Sequence, residues 1–218
     1  LDILKKLHAS GEPIESPSET GITTLMAVAG GAQEFHQKHL IQVAKFIDGK
    51  FVSPQDAEYK TLNPVTEESF LAVMDYLILH GADVNAQTHE VRHSPLIYCA
   101  TNNTPALGQK LLDAGASVNY QDQDGMSALH WASRRGFAAV VKMLLENKAD
   151  PNLGENYGFT PLHEAAENNH LKVLELLLAN GADKSIGIQK GFGDFKAGCT
   201  AYDIARLKNY GAIIKGLT

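Results

Sequence analysis

A regular spacing between similar stretches is the sequence feature that most constrains how this chain folds. Three such stretches open at Arg92, Gly125 and Gly158, so the two intervals between them are equal. The interval of about 33 residues lies within the roughly 20 to 50 residues typical of repeat proteins, in which each unit packs mainly against its neighbours. The spacing therefore predicts stacked copies of one small unit.

The clearest copy runs from Gly158 to Asp183 and predicts two helices joined by a tight turn. Thr160 is placed to cap the first helix, and Pro161 suits its first turn, where no amide proton is needed. The apolar residues of the second helix fall on one stripe, and Gly181 marks its end. One such helix pair is too thin to bury its own apolar face, so neighbouring copies have to supply the rest of the core.

The composition excludes several classes of function. The 218 residues carry a net charge of -6 at pH 7, which provides no basic surface for nucleic acid or for an anionic membrane. No apolar run approaches the roughly 18 residues of a membrane-spanning helix. The two cysteines, Cys99 and Cys199, do not make a disulfide framework, which favours a reducing compartment. We therefore expect an intracellular protein, cytoplasmic or nuclear, or one delivered into a host cell if its source is bacterial.

The glycine spacings divide residues 1–218 into the parts of a single predicted repeat domain. In an ordinary copy the opening and closing glycines stand as close as Gly158 and Gly181, whereas Gly21 and Gly81 are much farther apart. The difference of about 37 residues is an insertion between the two helices of that copy. The predicted parts are a half repeat at 1–20, a repeat with the insertion (about 30–66) at 21–87, repeats at 88–120, 121–153 and 154–187, and an extended finger with a C-terminal capping repeat at 188–218.

The insertion is predicted to be helical. Residues 36–47 have apolar side chains at the spacing of a helix with one buried face, and Ser53 and Pro54 are placed to start a second short helix. Thr66 is then the predicted N-cap of the returning helix. Two interpretations stay open: a helical lobe packed on its own repeat, or a binding site for a partner or regulator.

The segment before the last repeat is also enlarged. The stretch from Gly181 to Gly198 is longer than its counterpart from Lys148 to Gly158 by about seven residues, which form an inserted loop. The added stretch contains Phe192 and Phe195 among glycines and lysines. Either the two rings project toward a partner, or they fold back on the C-terminal cap. The glycines do not make a phosphate loop, because no strand precedes them and no Lys-Ser or Lys-Thr pair follows.

Two short motifs carry a family resemblance. The chain reads G-F-T-P-L-H-E-A-A from Gly158 to Ala166, and G-A-D-V-N from Gly81 to Asn85. In these motifs, with partial copies at 125–133, 92–100, 21–29 and 198–206, the chain resembles the ankyrin repeat family. The resemblance implies an all-α repeat solenoid of stacked helix-turn-helix repeats with short β-hairpin fingers, here with a helical insertion in the first complete repeat.

The resemblance also implies where a partner binds. The concave face of such a stack, made of the first helices and the finger tips, usually binds another protein. His130 and His163 occupy the family's own histidine position, where the resemblance implies an imidazole that is hydrogen-bonded to nearby backbone rather than a catalytic base.

The candidate binding residues lie on the finger tips and on the outer turns of the first helices, where side chains contribute little to the stack. Several are apolar or aromatic where solvent is expected, with two arginines beside them, and aromatic and Arg residues dominate interface hot spots. For Trp131 a second interpretation stays open, in which the ring packs between adjacent first helices. The predicted set is His89, Val91, His93, Gln121, Gln123, Met126, Trp131, Arg134, Arg135, Tyr157, Phe159, Glu167, Asn168, Phe192 and Phe195.

No set of residues predicts catalysis, a cofactor or a metal ion. The pairs His36 and His39, and His89 and His93, have spacings that allow zinc chelation on a helix, but neither pair has a cysteine nearby. Cys99 replaces a helix-facing alanine and is predicted to be a small core residue. The sequence contains no nucleophile elbow, paired-carboxylate signature or nucleotide fingerprint.

We therefore predict a monomeric, non-catalytic module for protein-protein interaction, an adaptor or scaffold that binds a protein partner through its concave face. The alternative is the ankyrin part of a larger enzyme or bacterial effector, whose activity lies outside this segment or in the 30–66 insertion. A structural spacer without a partner is a third possibility.

Overall fold

The structure is a computed structural model that describes residues 24–29, 46–47, 50–51 and 67–218. The chain divides into two compact units, Leu1–Ala116 and Ser117–Thr218. Each unit is described by itself. The predicted half repeat at 1–20 lies outside the described residues.

Regular structure in both units consists mainly of short helices. The first unit contains α1 (Thr24–Ala29), β1 (Phe46–Ile47), β2 (Lys50–Phe51), α2 (Glu67–Leu79), α3 (Pro95–Asn102) and α4 (Pro105–Asp113). The second unit contains α5 (Ala128–Arg135), α6 (Ala138–Glu146), α7 (Pro161–Glu167), α8 (Leu171–Ala179), α9 (Ala201–Leu207) and α10 (Gly211–Leu217).

In the first unit, α1 and α2 pack together although a long stretch of sequence separates them. The two helices contact each other, α1 also contacts α3, and α2 also contacts α4. The Thr104 hydroxyl donates a hydrogen bond to the carbonyl of Ala29 over 2.7 Å, and the Cys99 thiol donates to the same carbonyl over 3.3 Å. This packing agrees with the expectation that α1 and α2 are the two helices of one repeat.

The predicted helix at 36–47 is wrong at its last two residues. Strand β1 pairs antiparallel with β2, with Phe46 opposite Phe51 and Ile47 opposite Lys50. The sequence between these strands is Asp-Gly, a dipeptide strongly favoured in two-residue hairpin turns, and that local signal outweighs the apolar spacing. Residues 36–45 and the predicted helix at Ser53 lie outside the described residues. Helix α2 begins one residue after Thr66, the predicted N-cap, whose side chain is also outside them.

In the second unit, the helices stack in two rows. The first helices of the pairs lie in the order α5, α7, α9, and the second helices in the order α6, α8, α10, each contacting the next in its row. The residues at the centre of the stack are fully or almost fully buried: Leu129, Leu144, Leu162, Leu174, Ile204 and Ile213. Stacked helix pairs of this kind confirm the predicted all-α repeat solenoid.

Each first helix of the second unit begins at a hydroxyl residue. Ser127, Thr160 and Thr200 occupy the N-cap positions in extended backbone conformation. The backbone N–H of Ser127 donates to Nδ1 of His130, and that of Thr160 donates to Nδ1 of His163, both over 3.1 Å. This is a capping box in which an imidazole takes the place of the usual Glu or Gln. The T-P-L-H motif is therefore a helix-start signal.

The opening positions that the structure describes have a left-handed backbone. Gly125 and Gly158 have φ of 80° and 88°, a region that glycine adopts without strain. Arg92, which replaces the glycine in the first unit, has φ of 57°. A residue with a Cβ atom adopts this region at a cost of roughly 1 to 2 kcal/mol. Because Arg92 adopts it in spite of that cost, the repeat requires this backbone conformation even where glycine is absent.

The asparagine of the closing motif joins neighbouring repeats. The amide N–H of Asp150 donates to Oδ1 of Asn119 over 2.8 Å, and that of Asp183 donates to Oδ1 of Asn152 over 2.7 Å. Nδ2 of Asn152 also donates to the carbonyl of Gly181 over 3.0 Å. These bonds join the closing motifs of successive repeats, and the bonded residues are 29 to 31 residues apart in the sequence.

Candidate functional site

The predicted site residues of the second unit lie on one side of its stack. We call the surface formed by α5, α7 and α9, with the loops that precede these helices, the first-helix face. Those loops approach one another closely, since a Cβ added at Gly158 would lie 2.6 Å from the backbone nitrogen of Gln189. The loops are therefore packed parts of the stack.

Trp131 on α5 is held from two sides. Its indole Nε1 donates a 2.9 Å hydrogen bond to Oδ2 of Asp122, and the Arg134 guanidinium carbon lies 5.5 Å from the ring centroid. Asp122 is buried, and its Oδ1 accepts the backbone N–H groups of Asp124 and Met126. The ring is partly buried, so part of its surface faces solvent.

Arg134 joins α5 to α7 through a buried carboxylate. Its Nε donates to Oε2 of Glu164 over 2.8 Å, and its Nη2 donates to Oε1 over 3.0 Å. Two parallel charge-assisted bonds of this kind are strong and directional. The Glu164 side chain is 1% exposed, and burial raises its pKa while the Arg134 guanidinium opposes that shift. The pair thus fixes the cation that covers Trp131.

The two repeat histidines have different surroundings. Nε2 of His130 lies 3.0 Å from the carbonyl oxygen of Phe159 and, because Nδ1 accepts from a backbone amide, Nε2 carries the proton and donates. Nε2 of His163 makes no bond as close as this among the described residues, although the backbones of Cys199 and Ile186 act on the imidazole and oppose the effect of burial on its pKa. Burial lowers the pKa of each imidazole to about 4. The backbone role implied by the family resemblance is therefore confirmed for both Nδ1 atoms, and for the Nε2 atom only at His130.

The enlarged finger separates its two phenylalanines. Phe195 is 6% exposed and packs with Phe159, Ile188 and Ile204, whereas Phe192 is 54% exposed. Their backbones pair with each other, since the N–H of each donates to the carbonyl of the other. Phe195 therefore folds back on the cap, whereas Phe192 faces solvent.

Phe192 lies against Tyr157 from the preceding finger. The ring centroids are 5.1 Å apart, and Tyr157 is 41% exposed. The carbonyl of Tyr157 accepts the backbone N–H groups of Gln189, over 2.8 Å, and Lys190, over 3.1 Å. The enlarged finger is thus fastened to the finger before it, and the two exposed rings are brought together.

The expected exposure of Met126 and Phe159 is wrong. They are 3% and 5% exposed. Each directly precedes an N-cap residue, and Phe159 packs with Ile188, Phe195 and Ile204. Gln121 is also structural, because its Nε2 donates to the carbonyls of Gly125 and Gly154 and so connects two fingers.

The remaining predicted residues are at least partly accessible. Gln123, Arg135 and Asn168 are exposed, and Glu167 is half-buried with an oxygen 3.7 Å from the amine of Lys208. In the first unit, His89 and Val91 are exposed and His93 is half-buried. The structure brings Trp131 together with Arg134, and Tyr157 together with Phe192.

The sequence interpretation missed the buried carboxylates Asp122 and Glu164. A usable signal was present at Glu164, which stands one full repeat period after Trp131 and therefore occupies the same place in the next repeat. Glu164 also follows Arg134 by 30 residues. The neighbouring copy has an aromatic residue at the position of this acidic residue. An acidic residue placed there, almost one repeat period after an arginine, indicates an ion pair between adjacent repeats.

The two cysteines differ in their accessibility. Cys99 is fully buried, and burial raises the pKa of its thiol to about 12, whereas Cys199 is half-buried beside the Phe195 cluster. In the described part of the chain, no group of three or more His, Cys, Asp or Glu side chains is arranged to hold a metal ion. Within the same part, no helix has the length and apolar character needed to cross a membrane.

The comparison with protein families decides the class of the chain. The family model described as "Ankyrin repeats (3 copies)" matches residues 65–155 and 96–187, which together run over more than half of the 218 residues. The chain belongs to the ankyrin repeat family. Ankyrin repeats are generally protein-protein interaction modules.

Individual relatives of this ankyrin-repeat chain are longer proteins. It is 26% identical over 133 residues to alpha-latrotoxin-Lg1a of Latrodectus geometricus, covering 61% of this chain and 10% of the toxin. It is 37% identical over 86 residues to the B-cell lymphoma 3 protein homolog of Mus musculus, covering 39% and 18%. It is 33% identical over 97 residues to Arf-GAP with coiled-coil, ANK repeat and PH domain-containing protein 2 of Homo sapiens, covering 44% and 12%. The matches thus span less than a fifth of each of these relatives.

Proposed function

We propose that this ankyrin-repeat chain is a non-catalytic adaptor or scaffold module that binds a protein partner through the first-helix face of its second unit. The observation that supports this most strongly is the fixed placement of Trp131, which Asp122 and Arg134 hold with part of its ring accessible. Tryptophan and arginine are among the residues that contribute most binding energy at interfaces. In this proposal the chain acts as a monomer, and its partner is a protein.

Preorganisation is the physical advantage of this surface. Ordering a flexible side chain at an interface costs about 0.5 to 1.5 kcal/mol, and that cost is small where the side chain is already held. Arg134 is fixed by two bonds to Glu164, so Trp131 and Arg134 meet a partner in the geometry they already have. Exposed Arg135, the next residue on α5, adds a further cation at the edge.

A non-catalytic role is supported by the burial of Cys99, His130 and His163. The thiol of Cys99 and the imidazoles of His130 and His163 are all at most 1% exposed, so a substrate has no access to them. Each also has a packing or capping role that explains its presence, through the Ala29 carbonyl for Cys99 and through helix capping for the histidines.

The test is binding by the intact chain and by two charge-reversal variants. Arg135→Glu changes an exposed side chain on the first-helix face, and Lys142→Glu changes an exposed one on α6 as a matched control. We expect the affinity for the captured partner protein to fall at least about tenfold with Arg135→Glu and to stay unchanged with Lys142→Glu. Trp131 is the one tryptophan of the sequence, so addition of the purified partner should also change the intrinsic fluorescence. Equal binding by both variants, with unchanged fluorescence, would refute this surface.

A further inference from the structure

A second exposed area of the first-helix face lies at the enlarged finger. Tyr157 and Phe192 are both large, are 41% and 54% exposed, and are in ring contact. We call these two residues the aromatic tip. Adjacent exposed rings leave a continuous apolar area in water, and such areas on soluble domains mark interaction sites more often than isolated apolar residues do.

The aromatic tip is held in place by its own finger. The carbonyl of Tyr157 accepts two backbone N–H groups of the finger, and the paired backbones of Phe192 and Phe195 close the turn between them. Phe195 anchors this turn, because its ring is buried beside Phe159 at a centroid distance of 6.0 Å. The exposed rings therefore have a defined position without any contribution from a partner.

The charges around the aromatic tip are mostly positive. Lys190 and Lys196 are exposed, and neither makes an ion pair within the described part of the chain. The amine of Lys208 lies 5.7 Å from the Phe195 ring centroid, while Asp194, in the turn, is the one carboxylate of residues 190–196.

The carboxylate nearest in sequence to Tyr157 is already occupied by backbone donors. Oε1 of Glu155 accepts the N–H of Tyr157 over 2.9 Å and the N–H of Phe159 over 3.0 Å. One Glu155 oxygen is thus engaged by the backbone of its own finger, and the exposed amines of Lys190 and Lys196 are the positive charges that a partner meets at the aromatic tip.

We propose that the aromatic tip is a docking surface for an acidic protein segment that carries an apolar side chain, such as a Leu or Phe among Asp and Glu residues. The apolar side chain packs on Tyr157 and Phe192, and the carboxylates face Lys190 and Lys196. This inference rests on the proposed function as a protein-binding module, but it places the contact at the enlarged finger of the first-helix face instead of at Trp131, and it specifies the chemistry of the partner.

The test is a selection of displayed random peptides on the intact chain, followed by affinity measurements with the selected peptides. We expect the selected peptides to be acidic and to contain a large apolar residue. Tyr157→Ser combined with Phe192→Ser should weaken their binding about tenfold or more, and Lys190→Glu combined with Lys196→Glu should weaken it to a similar extent. Binding should also weaken as salt is raised, because exposed charges are screened.

Controls separate loss of this surface from loss of folding or of the proposed function. The circular dichroism and thermal melting of each variant should match those of the unchanged chain, since all four side chains are exposed. Peptides that lose binding with Arg135→Glu but not with the aromatic-tip variant would support the proposed function and overturn this inference. Basic or uncharged peptides, or no selected peptide at all, would also overturn it.

Two further outcomes would assign the aromatic tip to a different occupant. Phe192-dependent binding to vesicles of phosphatidylcholine and phosphatidylserine, with no peptide selected, would overturn the inference in favour of a membrane surface. Concentration-dependent association in sedimentation, abolished by Phe192→Ser, would overturn it in favour of a second copy of the chain.

Discussion

The two junctions between repeats in the second unit start from the same motif and are held together differently. At the polar junction, between α5 and α7, His130 donates to the Phe159 carbonyl and Arg134 pairs with buried Glu164. At the aromatic junction, between α7 and α9, Nε2 of His163 makes no bond as close as this in the described structure, and the contacts are made by a cluster around Phe195.

The difference shows what each kind of contact tolerates. Hydrogen bonds and ion pairs require fixed distances and angles, so the polar junction depends on regular spacing between repeats. Apolar packing is not directional, so the enlarged finger still closes the aromatic junction in spite of its extra length. The longer finger buries Phe195 and leaves Phe192 accessible. One junction thus fixes Trp131 by polar bonds, and the other fixes an exposed ring by an apolar anchor.

The largest expected effect breaks the polar junction. Arg134→Ala leaves the Glu164 carboxylate buried without a partner, which typically costs about 3 to 5 kcal/mol in the free energy of unfolding. Glu167→Ala is the matched control, because Glu167 occupies the position of Arg134 in the next repeat and makes only a partly exposed 3.7 Å pair with Lys208. That change should cost less than about 1 kcal/mol. Urea unfolding followed by circular dichroism measures both, and similar losses would mean that the ion pair does not hold this junction.

The next prediction compares how much Phe195 and Phe192 each contribute to stability at the aromatic junction. Phe195→Ala removes a buried ring and should cost about 3 kcal/mol or more, whereas Phe192→Ala removes a mainly exposed ring and should cost within about 0.5 kcal/mol. Thermal and urea unfolding of the two single variants provide the comparison. Equal losses would show that Phe192 is part of the core and would weaken its assignment to recognition.

The pH dependence of stability tests the buried histidine that each junction contains. The buried imidazoles of His130 and His163 have a pKa of about 4 in the folded chain, below the value of about 6.5 in an unfolded chain. The unfolded state therefore binds more protons between these values, and stability falls as the pH drops through this range. At about pH 5 the loss relative to neutral pH is about 2 kcal/mol for each imidazole.

Unfolding at neutral pH and at about pH 5 measures this loss. The same comparison in the double variant His130→Gln with His163→Gln provides the control, because the imidazole contribution is then absent. A double variant that keeps the full pH dependence would assign the effect to carboxylates instead.

The smallest expected effect compares the histidines directly. His130→Ala and His163→Ala each remove a buried imidazole and a helix cap, but only the first removes a close bond from Nε2 to the next repeat. The first variant should therefore be less stable than the second by about 1 kcal/mol, the net contribution of one hydrogen bond. Urea midpoints of the two variants give the difference. A larger loss at His163 would show that packing at the aromatic junction outweighs the missing bond.

Features that depend on residues close together in the sequence were predictable from the sequence. The helix start at Thr160 and the core role of Cys99 follow from short motifs and from the repeat period. The strand pair at Phe46 and Phe51 was missed, although the Asp-Gly signal between the strands is also local. These features needed only a correct interpretation of local spacing.

Features that depend on contacts between repeats were not predictable in the same way. Met126 and Phe159 follow finger residues in the sequence and were predicted to be exposed, but both are buried, and Phe159 packs with Ile188, Phe195 and Ile204. The pairing of Arg134 with Glu164 joins two different helices in successive repeats, so no single repeat contains the evidence for it.

The sequence by itself determined the repeat, its helices and its family, because a regular repeat period encodes a unit whose contacts are mainly with its own neighbours. Only the tertiary structure decided which of Phe192 and Phe195 is buried and which side chains hold Trp131. The two phenylalanines belong to the same short loop, and their burial depends on the path by which the finger returns to the stack. That path is set by contacts with Tyr157, which lies far away in the chain, and with Ile204 on α9.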